Sequence, residues 1–173
     1  MGRVKVFISG SRSITQLDRN AVDLIFRAVN EGAEIIVGDA DGVDSAVQQL
    51  LRKIKYPNVT VFAMNGRARN HNDFKINSIK NSKDVHFKKY YSEKDVAMTN
   101  EASLGLIIWD GESKGTLNNL KRLNSQHKEC IVYLQNEQKW KKMFSFQDIK
   151  NFKSKDKIND MESRLNIEQI SFV

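Results

Sequence analysis

Short runs of β-branched and aromatic residues alternate along this chain with longer stretches whose apolar residues recur every three to four positions. RVKVFIS, Arg3–Ser9, predicts a strand that Gly10 ends. In TQLDRNAVDLIFRAVNEG, the residues Leu17, Val22, Ile25, Phe26 and Val29 fall near one helical stripe, which Gly32 closes as a C-cap. AEIIVG predicts a second strand, and GVDSAVQQLLRKIK a helix with Val43, Ala46, Val47, Leu50, Leu51 and Ile54 on one side. NVTVFA, after the only proline (Pro57), predicts a third strand. The polar section 65–84 reads as irregular and VHFKKY (85–90) as a short strand. SEKDVAMTNEA (92–102) reads as a short helix capped by Ser92, with Asp95 at the capping-box position. LGLIIWDG predicts a strongly buried strand, SKGTLNNLKRLNSQHK a helix and ECIVYL the last strand. Beyond Gln135 the texture changes. NEQKWKKMFSFQDIKNF suits a helix with a short extension, and the polar remainder carries scattered anchors at Met161, Leu165, Ile167, Ile170 and Phe172.

Near-continuous hydrophobic strands alternating with amphipathic helices predict an α/β fold: a mostly parallel central sheet covered on both faces, linked by right-handed crossovers. One domain is expected over residues 1–136. Residues 137–173 then form a small C-terminal appendage, helical or irregular, packed on that domain or on a partner subunit. Phe144, Phe146, Phe152 and Phe172 are candidates for a contact surface or for closing over their own core.

Composition narrows the class. A single cysteine, Cys130, excludes an internal disulfide framework, and no Cys/His cluster has zinc spacing, so no metal or cofactor is expected. The first apolar run is too short for a signal peptide and no run approaches a membrane span, so a cytoplasmic protein is expected. The net charge of +7 is spread thinly: residues 1–136 hold 20 Lys/Arg against 15 Asp/Glu, so no basic block marks a nucleic-acid site. A cationic surface of this kind also suits phosphorylated small ligands.

Chemistry gathers where three strands end. In open α/β sheets, ligands bind beyond the carboxyl ends of the strands. The first such turn offers Gly10 for close backbone approach, the Ser11 hydroxyl and the planar fork of Arg12 for phosphate; a plain turn with an exposed arginine reads equally well. The second, Gly38-Asp39-Ala40-Asp41-Gly42-Val43-Asp44, holds three carboxylates where capping the next helix needs one. Carboxylates repel phosphate, so these are expected to accept hydrogen bonds from ribose or base. A metal site is the other use open to them, though no further ligand spacing supports it. In the third, a strand ends at Trp109-Asp110-Gly111 and a helix begins near Ser113-Lys114-Gly115-Thr116, an arrangement suited to an anion. The spacing of a P-loop is absent. The polar stretch Arg67, Arg69, Asn70, His71, Asn72 and Asp73 is either a lid over the site or a solvated loop, with His71 a surface histidine.

Together VFISGSRSI, EIIVGDADGVDSAVQQLL, NVTVF, RARNHN, EKDVAMTNEASLGLIIWDGESKGTLNNL and CIVYL resemble the SLOG superfamily, in particular its YspA/cpYpsA-related branch, over about residues 3–135. The resemblance implies a Rossmann-like three-layer sandwich with a pocket for a nucleotide or nucleotide-derived ligand. It points to Gly10, Ser11, Arg12, Gly38, Asp39, Asp41, Gly42, Asp44, Ser113, Lys114, Gly115 and Thr116. Arg69, Asn70, Trp109, Asp110 and Gly111 join them from the residue-level reading. It also implies a homo-oligomer. Among relatives, LOG-type enzymes hydrolyse nucleoside monophosphates with a P-G-G-x-G-T-x-x-E motif. Here Glu112 and Ser113 stand where the two glycines would be, and Asn119 where the glutamate would be. An amide cannot act as a carboxylate base. A binding module that senses, carries or sequesters its ligand is therefore expected first. A nucleotide N-glycosidase working through Asp39, Asp41 or Asp44, with Asp95 and Asp110 as further carboxylates that could serve, is the alternative, and a single-stranded nucleic-acid binder the second alternative.

Overall fold

In a computed structural model describing residues 2–81, 87–153 and 170–172 (backbone alone at 87–89, 146 and 153), the hydrophobic runs pair into one seven-stranded sheet. Along the chain it comprises β1 (Lys5–Gly10), α1 (Arg19–Asn30), β2 (Glu34–Val37), α2 (Val43–Lys53), β3 (Val59–Met64), β4 (Lys75–Ile79) and α3 (Phe87–Glu101). These are followed by β5 (Leu104–Trp109), α4 (Lys114–Ser125), β6 (Cys130–Leu134), β7 (Lys139–Met143) and α5 (Phe146–Lys153). The strand order is β4-β3-β2-β1-β5-β6-β7, all parallel but for β7, which pairs antiparallel with β6. The fold is a Rossmann-like three-layer α/β sandwich.

The period of two along each strand decides the layers. Val6 and Ile8 of β1 pack on one side with α1 and α2, while Phe7 packs on the other with α3 and α4. Helix α1 buries Ala21, Leu24, Ile25 and Ala28, the one stripe a helix can present to a sheet. Each fully buried Leu or Ile there contributes about 1.5–3 kcal/mol of transfer free energy. Its start is set by Asp18, whose carboxylate accepts from the Ala21 amide at 2.8 Å, so the helix begins four residues later than its apolar pattern suggests.

Three elements differ from expectation. Residues 75–79, read as irregular, form the parallel edge strand β4, half-exposed and therefore without a hydrophobic run to announce it. Phe87–Tyr90, read as part of a strand, form the first turn of α3, which runs through Ser92 rather than starting there; residues 85 and 86 lie outside the described residues. Lys139–Met143, read as helix, is the strand β7: Trp140 and Met143 pack on opposite faces of the sheet, as a period of two requires. The sheet thus continues past residue 136, and α5 follows it. Ile170 and Phe172 return to the α1 face and are buried there, with the Arg27 Nε donating to the Ile170 carbonyl at 2.7 Å. Of the four tail phenylalanines, Phe172 closes over the core, Phe152 packs partly against it and Phe144 is exposed; the Phe146 side chain is not described. Met161, Leu165 and Ile167 lie outside the described residues. Among the described residues no helix is long and apolar enough to cross a membrane.

Candidate functional site

The chain leaves β1 for strands on one side of the sheet and β5 for strands on the other, so the topology switches between β1 and β5. At the carboxyl ends of these strands lies a cavity of about 440 Å³. It is lined by Ser9, Gly10, Arg12 and Ser13 after β1, Ala40 and Asp44 after β2, and Arg69 from the loop before β4. Tyr91, Lys94, Asp95 and Met98 come from α3, and Asp110, Ser113, Gly115, Thr116 and Asn119 from the end of β5 and α4. All three turns singled out in the sequence therefore meet at one cavity, although not every residue in them reaches it.

The first turn is built largely for the protein's own use. A Cβ on Gly10 would collide with the Ile108 carbonyl and the Val43 side chain, so this glycine permits close packing within the chain. Buried Ser11 is a hub: its amide donates to the Ile108 carbonyl, its carbonyl accepts from the Val43 amide, and its hydroxyl accepts from the Asp110 amide at 3.0 Å. The hydroxyl expected to meet a ligand is thus engaged within the protein. Arg12 is exposed at the cavity, and no described residue forms a hydrogen bond or close ion pair with it.

In the second turn the three aspartates part company. Asp39 is buried and accepts from Lys94 at 2.6 Å, from the Arg69 guanidinium at 2.8 Å and from the Arg69 amide at 3.0 Å. Burial alone would raise its pKa, but these hydrogen bonds more than reverse that and hold it well below the usual carboxylate range. Asp41 is exposed, accepts from Asn70 at 3.2 Å and is not part of the cavity wall. Asp44 does line it. Burial pushes the Asp44 carboxyl up to about 6, against the pull of Lys94 and the Ala40 amide. None of the three caps α2: its N-cap is Gly42, at φ +79°, and no side chain caps it. The expected capping aspartate is replaced by Asp44 folding back to accept from the Ala40 amide at 3.1 Å. Gly38 lies against Asp44, and Gly42 lies against the Arg12 backbone.

The third turn is the most open. Asp110 accepts from Ser13 at 2.6 Å and from the amides of Glu112 and Ser113; these bonds outweigh burial and hold its pKa down to about 2. Gly111 takes φ +84° and Trp109 is buried below it, donating to the Ser113 carbonyl; neither lines the cavity. Ser113 occupies the N-cap of α4 without a side-chain cap, leaving the first-turn amides with no acceptor inside the helix. A Cβ on Gly115 would meet nothing within 4 Å. Lys114 is exposed and points to no described partner, but it is not part of the cavity wall.

The stretch 67–73 is strapped to the second turn. Asn70 donates to the Asp39 carbonyl and accepts through its own carbonyl from Gln48, and Asn72 donates to Gln48. Arg69, stacked over Tyr91 with 4.4 Å to the ring centroid, is its one contribution to the cavity. His71 is on the surface.

From helix α3 the sequence offered Asp95 alone, as a spare carboxylate, and the helix brings four lining residues. Tyr91, Lys94, Asp95 and Met98 stand at i, i+3, i+4 and i+7, a helical stripe that the sequence contained. Buried Asn119, at the position of the LOG-type glutamate, donates to Ser9 at 3.1 Å and accepts from Arg122 at 2.9 Å. Among the described residues no group of three His, Cys, Asp or Glu side chains is placed to hold a metal ion. No family model matches the chain, and no curated protein matches it.

Proposed function

We propose that the cavity binds a nucleotide or a nucleotide-derived small molecule, as the resemblance to SLOG domains implies. The phosphate would sit on Arg12 and the uncapped start of α4, with the sugar or base toward the carboxylates. The observation that carries this reading is the junction at one cavity of an arginine without a described partner and a helix start whose Gly115 leaves its amides accessible. Its volume of about 440 Å³ is in the range of small-molecule sites. The experiment is calorimetric titration with nucleoside mono-, di- and triphosphates, together with mass spectrometry of material released from the denatured protein. Binding that Arg12→Ala weakens about tenfold or more supports the reading. A protein that takes up no phosphate ester under any condition sinks it.

One observation favours a second reading, cleavage of a nucleotide's N-glycosidic bond. Asp44 lines the cavity with a carboxyl pushed up to about 6, so a protonated fraction persists near neutrality to act as general acid. Asp39, locked by two cations, and Asp41, outside the cavity wall, are not placed for that work. Release of free base from a panel of nucleoside monophosphates, abolished in Asp44→Asn, would establish it. An inert panel would remove it.

A further inference from the structure

Asp95 lies in the middle of α3, between Tyr91 and Met98 on the cavity wall. Lys94, its neighbour, is buried and directs its charge at Asp39. Asp95 has no comparable partner: no described residue forms a hydrogen bond or close ion pair with its carboxylate. The cations that face it are Lys94 on α3, Arg122 on α4, Arg69 on the strap and Arg12 after β1, yet burial still outweighs their field and raises its pKa. A partly buried carboxylate without donors from the chain costs the fold free energy, and such groups concentrate where something outside the chain completes them.

Asp44 lines the same cavity from the first turn of α2. Its Oδ2 accepts from the Ala40 amide, and Lys94, Asp95 and Asp39 are the charged groups around it. The carboxylate has room because position 38 is a glycine; a Cβ there would collide with it. Two carboxylates from two different helices thus line one cavity with acceptor capacity the chain does not use. An ionised carboxylate accepts and never donates, and it repels phosphate. Both therefore suit the part of a nucleotide that carries donors rather than its phosphate.

We infer that Asp95, together with Asp44, determines which nucleotide the cavity accepts, by taking hydrogen bonds from two adjacent donors on the ligand. This role rests on the nucleotide reading above. A nucleotide offers such a pair in two places: the vicinal hydroxyls of ribose, and the amino–imino edge of a guanine-type base. The donor chemistry is the same, and the choice between them is read from the ligand.

The test is calorimetric titration at neutral pH of the wild type, Asp95→Asn and Asp44→Asn with guanosine, 2′-deoxyguanosine, inosine, adenosine and 2′-deoxyadenosine 5′-monophosphates. The wild type is expected to prefer ribo- over deoxy-nucleotides, or guanosine over inosine, by about tenfold or more. Asp95→Asn should erase that preference while binding of the disfavoured nucleotide changes about twofold or less. Thermal melting confirms that the variant folds, and Asp95→Ser serves if it does not. The comparison that collapses identifies the donor pair. Binding without discrimination, or discrimination that survives both substitutions, overturns the role given to Asp95 and leaves the nucleotide reading standing. A wild type that binds none of the five overturns both.

Discussion

The turn after β2 and the turn after β5 are written in nearly the same letters, glycines and aspartates ahead of a helix, and the structure uses them in opposite ways. After β2 the glycines are occupied from within: Gly38 makes room for the Asp44 carboxylate, and Gly42 lies against the Arg12 backbone at a φ of +79°. Asp39 is spent on Lys94 and Arg69. After β5, a Cβ on Gly115 would meet no residue packed against the helix, α4 starts without a side-chain cap, and Lys114 is exposed. The β2 turn is architecture that shapes the cavity, and the β5 turn is the side of the cavity wall that the chain leaves open. A glycine beside an aspartate in a strand-to-helix turn thus says little until the atoms around it are known.

The contrast breaks most visibly at Asp39. Asp39→Ala leaves buried Lys94 without its one direct ion-pair partner among the described residues and frees Arg69 from the β2 turn. Removing one partner of a buried ion pair costs about 3–5 kcal/mol. Urea unfolding at neutral pH should show a loss of this size. A loss below about 1 kcal/mol would mean that the network is surface decoration, as exposed pairs usually are. The strap 67–73 should loosen at the same time, seen as faster amide exchange at Arg69, whose amide is held by Asp39.

The same contrast shows how far the sequence could be read. Strands β1, β2, β3, β5 and β6 are legible because both faces of each are covered, which leaves a run of apolar residues. The edge strand β4 hides because its KINSI sequence is half-exposed and its pairing lies in backbone hydrogen bonds. Three turns marked by their glycines and charges were recognisable as neighbours, and residues of all three line one cavity. What each aspartate does there was not, because that depends on Lys94 and Arg69, which are 55 and 30 positions from Asp39 in the chain. Reading Asp95 as part of a cap at Ser92 followed from starting α3 too late. Once the helix runs from Phe87, Tyr91, Lys94, Asp95 and Met98 fall on one stripe and the missing wall of the cavity appears.

Asp44 sharpens the comparison by pH, with a smaller effect. A carboxyl whose pKa is higher folded than unfolded binds more protons in the folded state through the interval between the two values. Its ionisation therefore subtracts stability as pH rises from about 3.9, the unfolded value, through the folded value of about 6. Asp44→Asn keeps an acceptor for the Ala40 amide and removes the charge. The variant should gain about 1–3 kcal/mol over the wild type at pH 7.5 and nothing near pH 4. Urea titrations at the two pH values measure the difference directly, and equal gains at both would show that the aspartate is not held out of water. The sign is opposite to that of Asp39, whose depressed pKa supports the fold above about pH 4 and is lost on acidification below it.

The smallest effect on stability carries the most information about function. Glycine in a helix costs up to about 1 kcal/mol relative to alanine, less in the first turn. At Gly115 no atom beyond its chain neighbours and the helix's own backbone lies within 4 Å of where a Cβ would be, so packing in the protein does not ask for a glycine there. Gly115→Ala should therefore raise stability by a few tenths of a kcal/mol, within about 1, in urea unfolding. If a phosphate rests on the first-turn amides of α4, the added methyl group enters the space the ligand needs, and affinity in calorimetry should fall about tenfold or more. A gain in stability coupled to a loss of binding is a result that a purely structural glycine cannot give. A variant that is more stable and binds as well as the wild type would move the anion away from α4 and leave Arg12 and Arg69 as the cations to test next.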